Sequence, residues 1–386
     1  MKNIQTKNDI SIEIIRILAC YIVICLHTSS WYITGETVLK TELGIKCFLQ
    51  DAVPIFLLIT GSFLFTGKKP FVKILKKVIF SILLPAFFVM VYSQIAAPWL
   101  TGKETLLHCI TSPQIDLKNL FGNIFRWSAG MTLCGHLWYV FSYLKVILWY
   151  PLISVICRPD VYNKKIRYYI LAISAVAKFI TDVQQLYSIP LGNIVPFSII
   201  DNSLWYVLLG YEIYQHKDFL IKNKVWCSII GFYTFLLANV IRFQLSLSLF
   251  DIDLKNDYFL HIESFNNAFS SIGLFVFLIC VLNSNYVQKI TQRGKVSYLI
   301  RFLSTKTFWI YLLHRGIYEK IGTLGLRNWI YSFSNKHFPS EIISMLSYAM
   351  LIFLISLLVA AILEKLFDLI KKNVFNRFRV KSFIAH

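Results

Sequence analysis

The sequence predicts an all-α, polytopic membrane bundle of about ten transmembrane helices. Three observations predict it: long apolar runs recur from end to end, charge is scarce, and basic residues gather in alternate connecting segments. Of 386 residues 56% are hydrophobic and only 15% charged, too little charge to coat a soluble domain of this size. Each crossing needs roughly 20 residues for about 30 Å of hydrocarbon. Backbone groups in that medium must be satisfied within the segment, so the runs are read as helices.

Apolar runs between charged breaks place the spans near 12–33, 47–66, 72–98, 136–157, 166–182, 194–214, 225–247, 264–282, 300–319 and 341–366. The first run is read as a retained helix rather than a cleaved leader, because Arg16 interrupts its start and no small-residue cleavage pattern follows His27. With the N-terminus in the cytosol, the inner segments hold 25 of the lysines and arginines and the outer loops 10, which sets both termini inside. The net charge of +19 is therefore a mark of topology, and nucleic acid is not expected as a partner. Asp251, Asp253, Asp257 and Glu263 share an outer loop, in keeping with this orientation. The expectation is one membrane domain over residues 1–386, with no repeat or linker. Eight cysteines occur without a C-x-x-C pair. Cys109 and Cys134 share one outer loop, and whether they are bridged is left open.

A charged side chain near the bilayer centre costs about 2.5–3.5 kcal/mol on insertion scales, so ionisable groups inside the spans direct the search for function. In the first span Glu13, Arg16, Cys20 and His27 fall at steps of three, four and seven. At about 100° per residue, the eleven-residue gap from Arg16 to His27 closes to within about 20° of one face, with His27 about 16 Å further along the axis. Histidine as a residue type ordinarily changes charge near neutral pH, so His27 suits the role of general base; a core histidine is the plainer reading. Arg16 is read either as part of the same site or as an interfacial anchor.

Asp51 opens the second span, shortly before Pro54. It is a candidate to orient His27, or else an ordinary helix-start carboxylate. His136 and Trp138 open the fourth span, while Tyr311 and His314 lie in the ninth. These four are candidates to bind an acceptor. The three histidines lack carboxylate or thiolate companions at ligand spacing, so no metal is expected. Lys73, Lys76 and Lys77 form a basic turn at the cytosolic entrance of the third span. They are either topology markers or a seat for a phosphate-rich donor.

These residues together resemble the membrane-bound acyltransferase-3 family, which includes bacterial O-acetyltransferases of surface polysaccharides. The marks are Arg16 followed by His27, Val53-Pro54-Ile-Phe with Gly61, His136-Leu-Trp-Tyr, and Ile310-Tyr-Leu-Leu-His314, and the similarity covers nearly the full length. It implies about ten spans with both termini inside, a cell-membrane location, and acetyl-CoA or another acyl-CoA as donor from the cytosol. It further implies His27 as the catalytic histidine, Arg16 in the same stripe, and a glycan or lipid-linked sugar as acceptor. Where the family typically carries arginines before the third helix, this chain has Lys73 and Lys76, which keep charge but not bidentate phosphate recognition. The rival expectation is a transporter or exporter of a glycan or small solute without acyl transfer. A homodimer is left open.

Overall fold

The computed structural model describes residues 9–29, 33–34, 36–66, 70–113, 115–116, 118, 122, 133–158, 160–187, 200–337 and 340–384. Helix dominates them, and the strands among them are the two-residue pair Ile33–Thr34 and Thr37–Val38, joined antiparallel. The helices run α1 (Ile10–Thr28), α2 (Lys40–Leu49), α3 (Ala52–Leu64), α4 (Phe71–Val78), α5 (Leu84–Leu100), α6 (Leu106–Thr111), α7 (Trp138–Ile156), α8 (Val161–Leu186), α9 (Asn202–Gln215), α10 (Lys217–Lys222), α11 (Lys224–Phe250), α12 (Phe265–Leu282), α13 (Asn285–Thr291), α14 (Gly294–Thr323), α15 (Leu326–His337) and α16 (Glu341–Ile384).

Seven helical stretches of the described residues are long and apolar enough to cross a membrane: Ile10–Thr28, Lys40–Leu64, Phe71–Leu100, Gly135–Ile156, Lys224–Phe250, Tyr258–Leu282 and Glu341–Phe367. The other three expected spans are helical where described, but two are less apolar and the described helix of the third has 14 residues, short of a crossing. The span at 166–182 falls in α8, where Arg167, Lys178 and Asp182 are buried against protein. The one at 300–319 falls in α14, with Arg301, Lys306 and Arg315 along it. The one at 194–214 is described only from residue 200, and its helix α9 buries Glu212 against Arg167. Several of their charged groups meet partners on other elements, Arg167 with Glu212, Asp182 with Ser264 and Lys306 with Glu364, so these helices depend on the bundle for their solvation.

Two predicted spans are interrupted for identifiable reasons. The second breaks at Gln50-Asp51 between α2 and α3, and Pro54 sits in the first turn of α3 where its missing N–H is tolerated. In the third, a π-helical turn over Ile79–Leu83 joins α4 to α5 just before Pro85. Proline has no N–H to return to the preceding turn and its ring crowds that turn's carbonyl, and the wider π turn accommodates both.

Helix α1 is the central element. Its Ile12, Ile15 and Ala19 belong to one apolar cluster with Leu57, Leu58, Tyr206 and Phe275, while Cys20, Val23, Ile24 and Cys25 belong to another with Ile310, Leu312, Tyr348 and Ile352. With both ends of α1 packed on protein, the polar stripe of this helix is held inside the bundle. Its start is fixed by Asp9, which caps Ser11, accepts a hydrogen bond from Tyr214 at 3.0 Å and pairs with Lys217. Burial alone would push the Asp9 carboxyl up, yet Lys217 with the Ser11 and Tyr214 donors holds it below the usual carboxylate range.

Helices α3 and α9 meet backbone to backbone at Gly61 and Gly210. A Cβ at Gly61 would stand 1.8 Å from the Val207 carbonyl oxygen, and one at Gly210 would stand 2.1 Å from that of Leu58. Small residues at such a crossing let two helices approach closely where lipid provides no hydrophobic force between them.

Candidate active site

Three imidazoles from three parts of the chain converge. His27 lies in the last turn of α1, His136 in a 3-10 turn (Gly135–Leu137) leading into α7, and His314 midway along α14. Ring centroids are 5.2 Å apart for His27 and His314, 4.7 Å for His136 and His314, and 6.2 Å for His27 and His136. His136 and His314 are buried and His27 is half-buried.

Local structure fixes two of the three rings. The Tyr311 hydroxyl donates to the carbonyl of His136, tying α14 to the turn that carries that ring. His314 Nδ1 is 2.7 Å from the Tyr311 carbonyl oxygen, which can only accept, so Nδ1 carries the proton and Nε2 is left with its lone pair. That Nε2 and both nitrogens of His136 are buried without an aligned hydrogen-bond partner among the described residues. Buried polar atoms are rarely left so, and here three of them belong to two rings whose centroids are 4.7 Å apart.

An aromatic column leads from this trio toward the other end of α1. Tyr311 packs at 5.3 Å from His136, Tyr139 at 5.9 Å from Tyr311, and Phe56 at 5.9 Å from Tyr139. The phenols of Tyr139 and Tyr143 lie in the field of the Arg16 guanidinium. Arg16 itself donates to Glu13 at 2.7 Å and to Ser304 at 3.0 Å, and Ser304 donates to the same carboxylate, which anchors α14 to α1. The stripe expected on α1 is thus real, with Arg16 at one end and His27 at the other.

Asp51 is not brought to His27. It is fully buried with Arg242, whose Nη2 donates to Oδ1 at 3.1 Å; Ser271 donates to Oδ1 at 2.8 Å, and Ser270 donates to Oδ2. It makes no side-chain cap on α3 either, so both sequence expectations for Asp51 give way to a structural ion pair. The reason is a partner on a distant helix: Arg242 stands 191 residues along the chain, in α11. Removing one member of a buried pair leaves the other charge uncompensated at a cost of about 3–5 kcal/mol. Asp51→Asn therefore lowers the unfolding temperature of the purified protein while the molecules that remain folded keep their turnover. A variant with normal stability and reduced turnover would return Asp51 to the site.

Lys73, Lys76 and Lys77 are exposed on α4 and have no ion-pair partner among the described residues. Phe71 stacks on Tyr150 at 6.5 Å and seats α4 against α7. Trp138 is half-buried at the start of α7 and has no described ring contact to the histidines, while Tyr139 next to it packs against Tyr311 at 5.9 Å. Cys109 and Cys134 are free thiols. Among the described residues no group of three or more His, Cys, Asp or Glu has metal-binding geometry.

Sequence reading passed over Tyr143 and Ser304, and carried Tyr139 only as the last residue of the His136-Leu-Trp-Tyr motif. Tyr139 and Tyr143 stand four apart on one helical face directly after the His136-Leu-Trp motif, which was the available signal. Nothing in the sequence pointed to Ser304.

Over residues 9–365 the chain matches the family profile described as an acyltransferase domain. The protein belongs to the acyltransferase-3 family. It is thus an acyltransferase, and the exporter expectation gives way to acyl transfer as the class of activity. No curated protein and no solved structure matches the chain. In this acyltransferase His27 meets His136 and His314 at one end of the α1 stripe, Arg16 stands at the other, and Gly61 lies where α3 and α9 meet backbone to backbone.

Proposed function

We propose that this acyltransferase moves an acyl group, acetyl in the first instance, from acyl-CoA on the cytosolic side of the cell membrane to a hydroxyl of a surface or lipid-linked glycan. His27 is the general base. The topology in this proposal has ten crossings with both termini in the cytosol, in accord with the 25 to 10 division of lysine and arginine between the two sides.

The observation that carries the reading is the meeting of His27 with His136 and His314 at one end of the α1 stripe, around nitrogens without partners, while Arg16 occupies the other end. The donor's phosphates rest at the basic entrance formed by Arg16, Lys73, Lys76 and Lys77, where ammonium and guanidinium groups attract them. Its thin thioester arm follows the aromatic column to the histidines. The acceptor enters from the outer side, where His136, Tyr311 and His314 bind it.

In the transfer step His27 takes the proton of the acceptor hydroxyl as its oxygen attacks the thioester carbonyl. The new C–O ester bond forms, the C–S bond breaks, and the departing thiolate recovers the proton from the imidazolium. Ester and free thiol are the products. Holding both reactants at one imidazole turns a bimolecular encounter into a unimolecular one.

The test is to supply labelled acetyl-CoA to sealed membrane vesicles of either sidedness, with and without the protein. Label passes to a glycan fraction only when the donor reaches the cytosolic face. Label transfer from the outer face would overturn the sidedness, and movement of unmodified glycan with no use of donor would overturn the reaction.

A further inference from the structure

Arg16, Glu13 and Ser304 close a ring of hydrogen bonds at one end of the α1 stripe. A single guanidinium nitrogen, Nη1, donates to Glu13 Oε2 at 2.7 Å and to Ser304 Oγ at 3.0 Å, and the Ser304 hydroxyl donates its proton to the same carboxylate oxygen. A fully exposed pair at this helical spacing would matter little. Here the arginine side chain is 28% exposed and the glutamate 16%, and a hydroxyl from α14 completes the ring, so the carboxylate is held on the guanidinium from two helices. The lysines of α4 differ, because Lys73, Lys76 and Lys77 are exposed and have no ion-pair partner among the described residues.

A phosphate that approaches Arg16 meets this ring in one of two ways. If it takes Nη1, it must displace the carboxylate. If it takes the rest of the guanidinium, it lies against the carboxylate, anion to anion, where partial burial weakens the screening between them. In both cases Glu13 opposes the phosphate.

We propose that Glu13 competes with the donor's phosphate for Arg16 and so sets how tightly the coenzyme is held. This rests on the donor's phosphates seating at Arg16 as proposed above. The lysines of α4 attract the phosphates from solution, and Arg16 engages them against the pull of Glu13. After transfer the same carboxylate speeds the departure of free coenzyme A. The competition is felt at the phosphate-bearing end of the donor, since Glu13 stands about 21 Å along α1 from His27 and the thioester.

Binding of free coenzyme A tests this with neither acceptor nor acyl transfer. Full-length wild type and variants in phosphatidylcholine nanodiscs are titrated calorimetrically with coenzyme A, and with pantetheine, which has the same thiol arm and no phosphate. Glu13→Gln keeps the length of the side chain and a carbonyl oxygen for Arg16 and Ser304 but removes the charge. It should lower the Kd for coenzyme A about five- to tenfold and leave pantetheine within about twofold of wild type. Arg16→Gln should raise the Kd for coenzyme A, and in that background Glu13→Gln should bring no gain.

An unchanged or higher Kd for coenzyme A in Glu13→Gln overturns the proposal, and makes Glu13 a residue that positions Arg16 for the phosphate. An equal gain for pantetheine overturns it too, as does aggregation of Glu13→Gln on size exclusion, which would give Glu13 the task of holding α1 to α14. The two readings fail differently. Coenzyme A binding that is absent from the wild type, or indifferent to Arg16→Gln, removes the donor from Arg16 and this proposal with it, whereas Arg16-dependent binding without a gain from Glu13→Gln removes this proposal alone.

Discussion

His27→Ala is expected to lower acyl transfer by about 10²–10⁴-fold, the range a positioned general base contributes, while leaving the protein folded in the membrane. The ring is half-buried at the end of α1, and the packing of that helix rests on Ile12, Ile15, Val23 and Ile24 instead, so removing the imidazole leaves the two clusters intact. The measurement is the initial rate of label transfer from acetyl-CoA in membranes with matched amounts of protein. Retention of the wild-type rate would remove His27 from the chemistry. The role would then pass to His314, whose Nε2 has a lone pair and whose ring lies 5.2 Å away by centroid.

Gly61→Val should have the largest structural effect. The added Cβ would lie 1.8 Å from a backbone carbonyl of α9, which no rotamer change can relieve, so α3 and α9 must separate. Overpacking costs about 1–3 kcal/mol and more where backbone has to shift. The expected outcome is little or no monodisperse protein after extraction, with Gly61→Ala and Gly210→Ala harmed in the same direction. The two alanine changes meet at one crossing, so their combined effect on unfolding temperature should depart from the sum of the single effects. Unchanged yield and stability for Gly61→Val would show that the helices do not meet as described.

The two expectations differ in what they disturb. Loss of the imidazole leaves a folded protein without a base, whereas a side chain at Gly61 removes the platform on which the α1 stripe rests.

Much of this protein was legible in its sequence. The helical membrane class followed from apolar runs that hydrocarbon permits only as helices, and the α1 stripe followed from 3.6 residues per turn. Gly61 was visible as a motif residue, but its reason lies in the backbone of Val207 and Tyr211 on a distant helix. Three of the ten expected spans do not stand on length and composition alone: two lie in helices that carry several charges, and the described helix of the third has 14 residues. Arg167, Lys178 and Asp182 are tolerated in α8 because Glu212, the Ile262 and Glu263 carbonyls and Ser264 meet them.

Asp51 marks the limit most clearly. A carboxylate at a helix start has a default local partner, and only the fold reveals that Arg242 and two serines take it instead. Sequence by itself determined the solvent, the periodicity and the residues too costly to bury without purpose, since all three depend on side-chain chemistry and local geometry. Tertiary structure decided which of those residues meet: three histidines on three segments, Arg16 with Ser304, and Asp51 with Arg242. Those pairings are set by helix crossings between distant parts of the chain, and side-chain spacing along one helix carries no record of them.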